Sequence, residues 1–303
     1  MTTVTTGRPS TSREIPVRRL AMDYSASFCV DGANPTAPVN PGQLWLIPDD
    51  PIFSHFLAML SALFPHGEEF FVTTVRDNRA GIGDDGVLRR QINAFIGQEG
   101  MHGREHRTLN ELLAPLGYPV EAMDRGVARI CQQLLRLPTT LPLAVTAASE
   151  HLTGTLAPEF LNHPSTNAVL LSSDDRLTAL VHWHALEELE HKNVAFDVLA
   201  AVDGRYLVRA AGFWIVAGTF VPYGLSSWIR AVANDRARIT GQHRRRFWAN
   251  LRRQSVLSPR VGLGLLAYLR PGFHPDDTNT DHLVDEWRQR LADRAVPVGH
   301  RTP

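Results

Sequence analysis

The sequence is poor in lysine and in cysteine, and it has no net charge. Lys192 is the only lysine among 31 basic residues, which balance 31 acidic ones. A neutral balance argues against the basic surface with which proteins collect nucleic acid, so no nucleic-acid partner is expected. Cys29 and Cys131 are too few for a disulfide framework or a thiolate metal site. We therefore expect a cytoplasmic protein with reduced thiols.

The sequence also lacks strand-like alternation, internal repeats and the apolar core of a secretory signal near its start. From Asp50 onward, apolar residues recur at helical spacing instead, which predicts an all-α fold. We expect a helix broken at Pro65 and Gly67, and a single helix over residues 174–202. Four segments are predicted: irregular residues 1–44, a helical core over 45–204, C-terminal helices packed on the core or at an interface over 205–295, and a flexible tail over 296–303.

Residues 210–229 carry no charge and have arginines on both sides. Their length alone permits a membrane span of about 20 residues. Pro222 and three glycines weaken that interpretation, so a buried or homodimer-forming helix is preferred. Contact of the basic stretch 205–255 with lipid headgroups is an alternative, and it would make the protein membrane-associated.

The stretch HWHALEELEHK, residues 182–192, concentrates titratable side chains in one predicted helix. At about 100° per residue, His184, Glu188 and His191 share one narrow face. Leu177 and Leu180 lie on the same stripe, so this face is predicted to point into the core. The other three side chains differ: His182 and Glu190 are expected to be exposed, and Glu187 to be intermediate.

A second helix, containing FIGQEGMHGREH, repeats this arrangement. Glu99 and His102 are three residues apart and share a face with Ile92, Phe95 and Leu109. A carboxylate and an imidazole at this spacing can reach one metal ion. A single such pair arises often by chance, but here it occurs twice.

Two further helices each supply one glutamate that is predicted to point inward. Glu150 lies on the face of Leu143, and Glu68 lies on the face of Phe64. Glu69 is turned away by about 100°. One glutamate from each of two helices, and a Glu-x-x-His pair from each of two others, form the ligand set of a ferritin-like di-iron carboxylate bundle.

Charge balance supports a dinuclear site. Four buried carboxylates would repel one another, and their pKa values would rise until they took up protons. Two divalent cations would neutralise them, and mixed carboxylate and imidazole ligation suits two iron ions, with manganese or a mixed iron–manganese pair as alternatives. His184 is either a further ligand or a hydrogen-bond partner. Three residues are candidates for supporting the ligands from behind: His106, Glu187 and His151.

Several segments resemble known families. FPHGEEFF, FIGQEGMHGREHRTLN, TAASEH and WHALEELEHKNVAFDV resemble a bacterial family described as predicted metal-dependent hydrolases, over about residues 45–200. The ligand pattern itself resembles the ferritin-like di-iron oxygenases. His184, one heptad before His191, resembles the additional histidine of the arylamine N-oxygenases. This resemblance implies the metal ligands Glu68, Glu99, His102, Glu150, His184, Glu188 and His191.

The leading functional hypothesis is an O2-activating di-iron oxygenase or oxidase of a small organic substrate. The arylamine N-oxygenase resemblance implies N-oxygenation of an amine, with O2 as co-substrate. The chemistry requires an external electron donor, such as a ferredoxin or a reductase. One alternative is a dinuclear metal-dependent hydrolase, and a second is a membrane-associated metal-binding protein.

Overall fold

The computed structural model describes residues 14–21, 45–83, 85–253 and 258–298. Over these residues the fold is all-α, as the sequence predicts. Cys29 lies outside the described residues, and Cys131 is a buried free thiol. In chain order the elements are β1 (Arg18–Leu20), α1 (Pro51–Asn78), α2 (Gly86–Leu113), α3 (Val120–Leu134), α4 (Thr140–Asn162), α5 (Pro164–Leu170), α6 (Asp175–His191), α7 (Val194–Val202), α8 (Tyr206–Gly218), α9 (Phe220–Asn234), α10 (Gly241–Leu251), α11 (Pro259–Ala267), α12 (Asp281–Arg290) and β2 (Ala295–Pro297).

Aspartate caps begin three of the long helices. The side chains of Asp50, Asp85 and Asp174 accept hydrogen bonds from backbone N–H groups in the first turns of α1, α2 and α6. These N–H groups have no partner within their own helix, so the caps define where the helices start. The predicted helix start at residue 174 is therefore accurate.

Helix α1 continues through Pro65, which corrects the predicted break at that residue. A proline inside a helix frees the carbonyl group four residues earlier, here that of Ser61. Asn110 of α2 donates its side-chain amide to this carbonyl at 3.0 Å. The Ser61 hydroxyl in turn donates to the Asn110 side-chain oxygen at 2.8 Å. A neighbouring helix thus replaces the lost hydrogen bond, and α1 keeps its phase from Pro51 to Asn78.

The predicted helix over residues 174–202 is instead two helices. Helix α6 ends at His191, and α7 begins at Val194 after a turn at Lys192 and Asn193. Asn193 donates its side-chain amide to Asp197 at 2.7 Å. The turn therefore interrupts the helix directly after the last residue of the predicted site.

A two-stranded antiparallel sheet joins the two ends of the described chain. Arg18–Leu20 pairs with Ala295–Pro297, although the sequence analysis expected an irregular segment and a flexible tail there. Strands of three residues carry too little alternation to be recognised from sequence. The pairing matters because it places Arg18 against α6.

Residues 210–229 form neither one helix nor a fully buried one. Thr219 separates α8 from α9. Taken together, Tyr206–Asn234 are long and apolar enough to cross a membrane by length and composition, which is weak evidence for a span. Only 22% of the most apolar window is buried. The prediction of a buried helix is therefore correct only for the inner face of this segment, and the outer face is exposed.

Two large apolar clusters lie on either side of the predicted site. One includes Leu109 and Trp183, and the other includes Phe95 and Leu143. Helices α1, α2, α4 and α6 pack on one another between them. Each of these four helices therefore presents part of one face to a shared interior.

Candidate metal centre

The structure brings all seven predicted ligands together in the protein interior. Three overlapping groups have ligand atoms within 4.8 Å of one another: Glu68 with His102 and His184, Glu99 with Glu150 and His191, and Glu99 with His102 and Glu188. All seven are buried. They come from α1, α2, α4 and α6, so the interior of the protein, rather than a loop, holds the cluster.

Glu188 occupies the middle of this cluster. Its Oε1 lies 3.0 Å from His184 Nε2, 3.5 Å from His191 Nε2 and 3.8 Å from His102 Nδ1. A carboxylate this close to three imidazole nitrogens would be available to hold metal together with them. Beyond it, His191 Nε2 is 3.0 Å from Glu99 and 3.2 Å from Glu150.

His102 is held from behind by Glu187. The Glu187 carboxylate lies 3.1 Å from His102 Nε2, so this nitrogen donates and Nδ1 keeps a free lone pair towards the cluster. Glu187 also accepts from Trp183 Nε1 at 2.9 Å and from Arg18 at 3.0 Å. These bonds fix the orientation of the imidazole, as carboxylates behind metal-bound histidines commonly do.

His191 is held in the same way through an amide. Its Nδ1 donates to Gln98 Oε1 at 2.9 Å, which leaves Nε2 facing Glu99 and Glu150. The amide nitrogen of Gln98 donates to Glu190 at 2.8 Å. Because an amide oxygen can only accept, this bond determines which imidazole nitrogen carries the proton.

His184 ends a chain of hydrogen bonds that runs into α1 and α2. Its Nδ1 lies 2.8 Å from His106 Nε2, and His106 Nδ1 lies 3.1 Å from the Ser61 hydroxyl. The Ser61 hydroxyl donates to Asn110. When every bond has one donor, His184 Nδ1 donates to His106 and His184 Nε2 faces Glu188. All three imidazoles thus direct their second ring nitrogen towards the carboxylates.

The polar atoms that lack hydrogen bonds also concentrate at this cluster. Both carboxylate oxygens of Glu68, Glu99 and Glu150 are buried without a hydrogen bond of good geometry, as are one oxygen of Glu188, His102 Nδ1 and His191 Nε2. Some of these atoms, such as those of His191 and Glu99, lie at ion-pair distance from one another. Buried polar groups are normally satisfied, and leaving one unpaired costs about 1–3 kcal/mol. So many unpaired ligand-type atoms facing one another indicate a site that is completed by cations.

Electrostatics supports this interpretation. Burial, together with the negative charges of Glu99 and Glu188, raises the pKa of Glu68 well above its usual value. Burial and the charge of Glu188 do the same to the pKa of Glu150, and burial raises that of Glu99. Without a cation, burial and mutual repulsion therefore oppose the simultaneous ionisation of these carboxyls.

The protonated form of His191 takes the place of a cation in this environment. Burial favours the neutral imidazole, but the charges of Glu150 and Glu99 outweigh it and raise the pKa of His191 well above its usual value. Burial would likewise raise the pKa of Glu188, yet His191 and His184 hold it well below its usual value. Burial and the neighbouring His184 lower the pKa values of His102 and His106.

Two cavities approach the cluster from different sides. One, of about 210 Å³, has Glu68, His184 and Glu188 in its wall, and its other lining is mostly aliphatic and aromatic. Phe64 packs against His184 there, with ring centroids 4.4 Å apart. We call it the Phe64 cavity. The other, of about 590 Å³, reaches Glu150 and has a more polar lining that includes Lys192.

Four predictions about neighbouring side chains need correction or qualification. Glu190 and His182 were expected to be exposed and Glu187 to be intermediate, but all three are buried. Glu190 pairs with Arg18 and Arg288, and His182 lies 2.8 Å from the Asn167 side-chain oxygen. His151 is buried too, but its partners are the backbone carbonyls of α11. Of the three residues predicted to support the ligands, His106 and Glu187 contact a predicted ligand, whereas His151 does not. Glu69 is exposed, as predicted.

Sequence analysis missed several residues that support the imidazoles: Arg18, Ser61, Gln98, Asn110 and Arg288. Ser61 lies seven residues before Glu68, and Asn110 lies four residues after His106, so helical spacing could have suggested both. Arg18 and Arg288 are far from the motifs along the chain. Only the tertiary structure brings them to α6.

Comparisons with known proteins give one result. A search of the curated proteins and a search of the solved structures found no match. A family model described as "Predicted metal-dependent hydrolase" matches residues 37–279 and so covers every residue of the cluster. The buried histidine and glutamate groups agree with the metal dependence in that description. The chain belongs to this predicted metal-dependent hydrolase family.

Proposed function

We propose that this metal-dependent enzyme holds two metal ions and oxidises an apolar small molecule with O2. One observation carries the proposal: Glu68, His184 and Glu188 form part of the wall of the otherwise apolar Phe64 cavity. An apolar molecule in that cavity would lie directly beside the metal pair. Exclusion of water from such a site favours oxidation, because it protects reactive species from side reactions.

The donor set suits iron. Four carboxylates and three imidazoles offer oxygen and nitrogen ligands, and this combination is typical of iron, with manganese or a mixed pair as alternatives. Glu68, Glu99, Glu150 and Glu188 would balance the charge of two divalent ions. Bound iron would supply the O2 chemistry, which no side chain of the protein can perform.

The protein's own residues would orient the ligands and shape the cavity. Glu187, Gln98 and His106 fix the three imidazoles through the nitrogens that face away from the cluster. Phe64 covers both His106 and His184, with centroid distances of 4.6 and 4.4 Å. The ligands would therefore need little rearrangement to bind metal.

The overall reaction requires a partner that supplies electrons. Incorporation of one oxygen atom into the substrate, with release of the other as water, consumes two electrons and two protons besides O2. A ferredoxin or a reductase is the expected class of donor. N-oxygenation of an aromatic amine is the specific reaction to examine first, because the histidine at position 184 motivates it.

Hydrolysis is the second candidate, and the family description favours it over oxidation because it names a hydrolase. A metal pair would then activate water for attack on an ester or amide. Such a reaction benefits from donors near the developing oxyanion. The described lining of the Phe64 cavity offers the hydroxyls of Ser61, Ser149 and Thr153, of which Ser61 already donates to Asn110 and Thr153 to a backbone carbonyl.

The deciding experiment compares one metal-loaded preparation with and without O2. The protein would be loaded with iron, manganese or zinc and supplied with aromatic amines or with esters and amides of similar size. Oxidation predicts product and O2 consumption only in the iron or manganese protein with a reductant present. Turnover of esters or amides without O2 would support the hydrolase and refute the oxidation proposal. Glu188→Gln, which loses the central carboxylate, is the inactive control in either case.

A further inference from the structure

A row of large apolar side chains lies exposed on the outer face of α8, α9 and α10. Leu207 is 78% exposed and Trp214 is 60% exposed. On α9, Val221, Leu225 and Ile229 recur at every fourth position and so share one face. We call these residues, together with Trp248 of α10, the outer stripe: Leu207, Trp214, Val221, Leu225, Ile229 and Trp248.

The opposite faces of the same helices are attached to the core. Tyr223 donates its hydroxyl to the Met123 carbonyl at 2.8 Å, and Trp228 donates its indole N–H to the Ile52 carbonyl at 2.9 Å. Gly212 meets Ala144 of α4 so closely that an added Cβ would lie 2.3 Å from the Ala144 oxygen. Helices α8 and α9 are therefore packed on the core, and they could cross a membrane only if these contacts were broken.

Positive charge is concentrated in the segment that carries the outer stripe. Residues 205–255 contain ten arginines and one acidic residue, Asp235, although the whole chain is neutral. Arg244 on α10 and Arg252, the residue directly after α10, lie four positions on either side of exposed Trp248. In the part of the chain that the structure describes, six exposed arginines here have no ion-pair partner: Arg230, Arg236, Arg244, Arg245, Arg252 and Arg253.

We propose that the outer stripe docks on an anionic lipid surface. Its indole and aliphatic side chains would enter the headgroup region, and the arginines would bind lipid phosphates. Aromatic and basic residues around an apolar face are typical of proteins that lie on a membrane. A second copy of the chain fits less well, because a symmetric contact would bring two arginine clusters of the same sign together.

The position of the outer stripe also bears on the substrate. Val216 and Phe220, on the inner side of the same helices, line the Phe64 cavity. A lipid-soluble substrate could therefore pass from the bilayer to this cavity over a short distance. Docking is independent of the proposed function, whereas this delivery of substrate rests on it.

The test measures binding of the metal-loaded full chain to vesicles by sedimentation. Docking predicts strong binding to phosphatidylcholine vesicles containing phosphatidylglycerol, weak binding to phosphatidylcholine alone, and release by salt. Trp214→Ser/Leu225→Ser should lower the partition coefficient about tenfold through lost apolar burial. Arg244→Gln/Arg245→Gln should lower it by a similar factor, about tenfold, through lost charge.

Matched controls lie elsewhere on the surface. Leu171 is 68% exposed and lies at the end of α5, away from the outer stripe along the chain, so Leu171→Ser should bind like the unmodified protein. Arg104→Gln on α2 is the corresponding charge control. Circular dichroism and metal content establish that each variant is folded, and the two variant pairs test the proposal separately.

Three results would overturn the proposal. The first is absence of binding to anionic vesicles, and the second is an equal loss of binding in the controls. The third is a dimer in analytical ultracentrifugation that Trp214→Ser/Leu225→Ser dissociates, since the outer stripe would then bind a second copy. None of these results depends on the reaction that the enzyme catalyses, so the proposed function is tested separately.

Discussion

At the scale of single residues, the three imidazoles of the candidate centre are oriented by three different partners. A carboxylate holds His102, an amide oxygen holds His191, and a second imidazole holds His184. Each partner accepts a hydrogen bond from the nitrogen that faces away from the cluster. The other nitrogen of each ring therefore points towards the carboxylates before any ion is present. This arrangement lowers the entropy that must be lost when a metal binds.

Glu68 and the adjacent Glu69 allow a matched test of the site. Glu68→Gln should abolish binding of at least one metal ion, because an amide ligand cannot balance the charge of a divalent cation. The metal-free variant should be no less stable than the unmodified metal-free protein, since a buried carboxyl with a raised pKa has been removed. Glu69 is exposed, so Glu69→Gln should bind metal normally. Metal analysis and thermal unfolding measure both effects, and equal metal loss in the two variants would contradict the assignment.

At the scale of secondary-structure elements, the two ends of the described chain together support α6. Arg18 of β1 binds Glu187 and Glu190, and Arg288 of α12 binds Glu190. Glu187 holds His102, and Glu190 holds Gln98. Both arginines lie outside residues 37–279, the range that the family model matches. The predicted ligands thus all lie within the matched range, whereas the arginines that bind Glu187 and Glu190 come from elements outside it.

Removal of Arg18 should therefore affect both stability and metal binding. Arg18→Ala leaves a carboxylate buried without its charge partner, which should lower the free energy of unfolding by about 3 kcal/mol. Metal affinity should fall by about 10-fold or more, because Glu187 and Gln98 lose their support. Arg19 is exposed on the same strand, so Arg19→Ala should change the free energy of unfolding by less than about 0.5 kcal/mol. Denaturant unfolding and metal titration would show whether the two arginines differ.

The contact between α8 and α4 depends on a glycine. An added Cβ at Gly212 would lie 2.3 Å from the Ala144 oxygen, whereas at Gly218 it would meet nothing within 4 Å. Gly212→Ala should therefore push α8 away from α4 and cost about 1–3 kcal/mol in the free energy of unfolding. Gly218→Ala should stabilise the protein by up to about 1 kcal/mol, because alanine is the better helix former. Stability of Gly212→Ala equal to that of Gly218→Ala would mean that α8 does not pack as closely as described.

At the scale of the whole molecule, the sequence predicts which helix faces point into the core. It does not predict which other elements cover the remaining faces. Helical spacing correctly predicts that the seven candidate ligands are buried and face one another, because one buried stripe on each helix is enough to define its phase. Glu190 was misassigned because a helical wheel assumes one buried face. Helix α6 is covered by β1 and α12 as well. The continuation of α1 through Pro65 depends on Asn110, and no local pattern could reveal that contact.

Metal binding and pH should act together on the stability of the whole fold. In the metal-free protein, burial raises the pKa values of Glu68 and Glu150 well above 4.5, and the surrounding carboxylates raise that of His191 despite burial. A group whose pKa is higher in the folded than in the unfolded state stabilises the fold while the pH is below its unfolded-state pKa. This stability is lost as the pH rises through the folded-state pKa. The lowered pKa values of His102 and His106 keep both neutral in the folded state, and the unfolded chain also loses their protons as the pH rises past 6.5, so their opposing effect fades above that pH.

We therefore expect the metal-free protein to lose stability as the pH rises above 6.5. The metal-loaded protein should not, because bound cations hold the carboxylates ionised and neutralise them. At a free metal concentration of one hundred times Kd, binding should add about 2.7 kcal/mol. Calorimetry of loaded and EDTA-treated protein at a series of pH values would measure a difference in Tm that widens with pH. A constant difference would show that the buried carboxyls do not release protons when metal binds, and the charge-balance account of the centre would then be wrong.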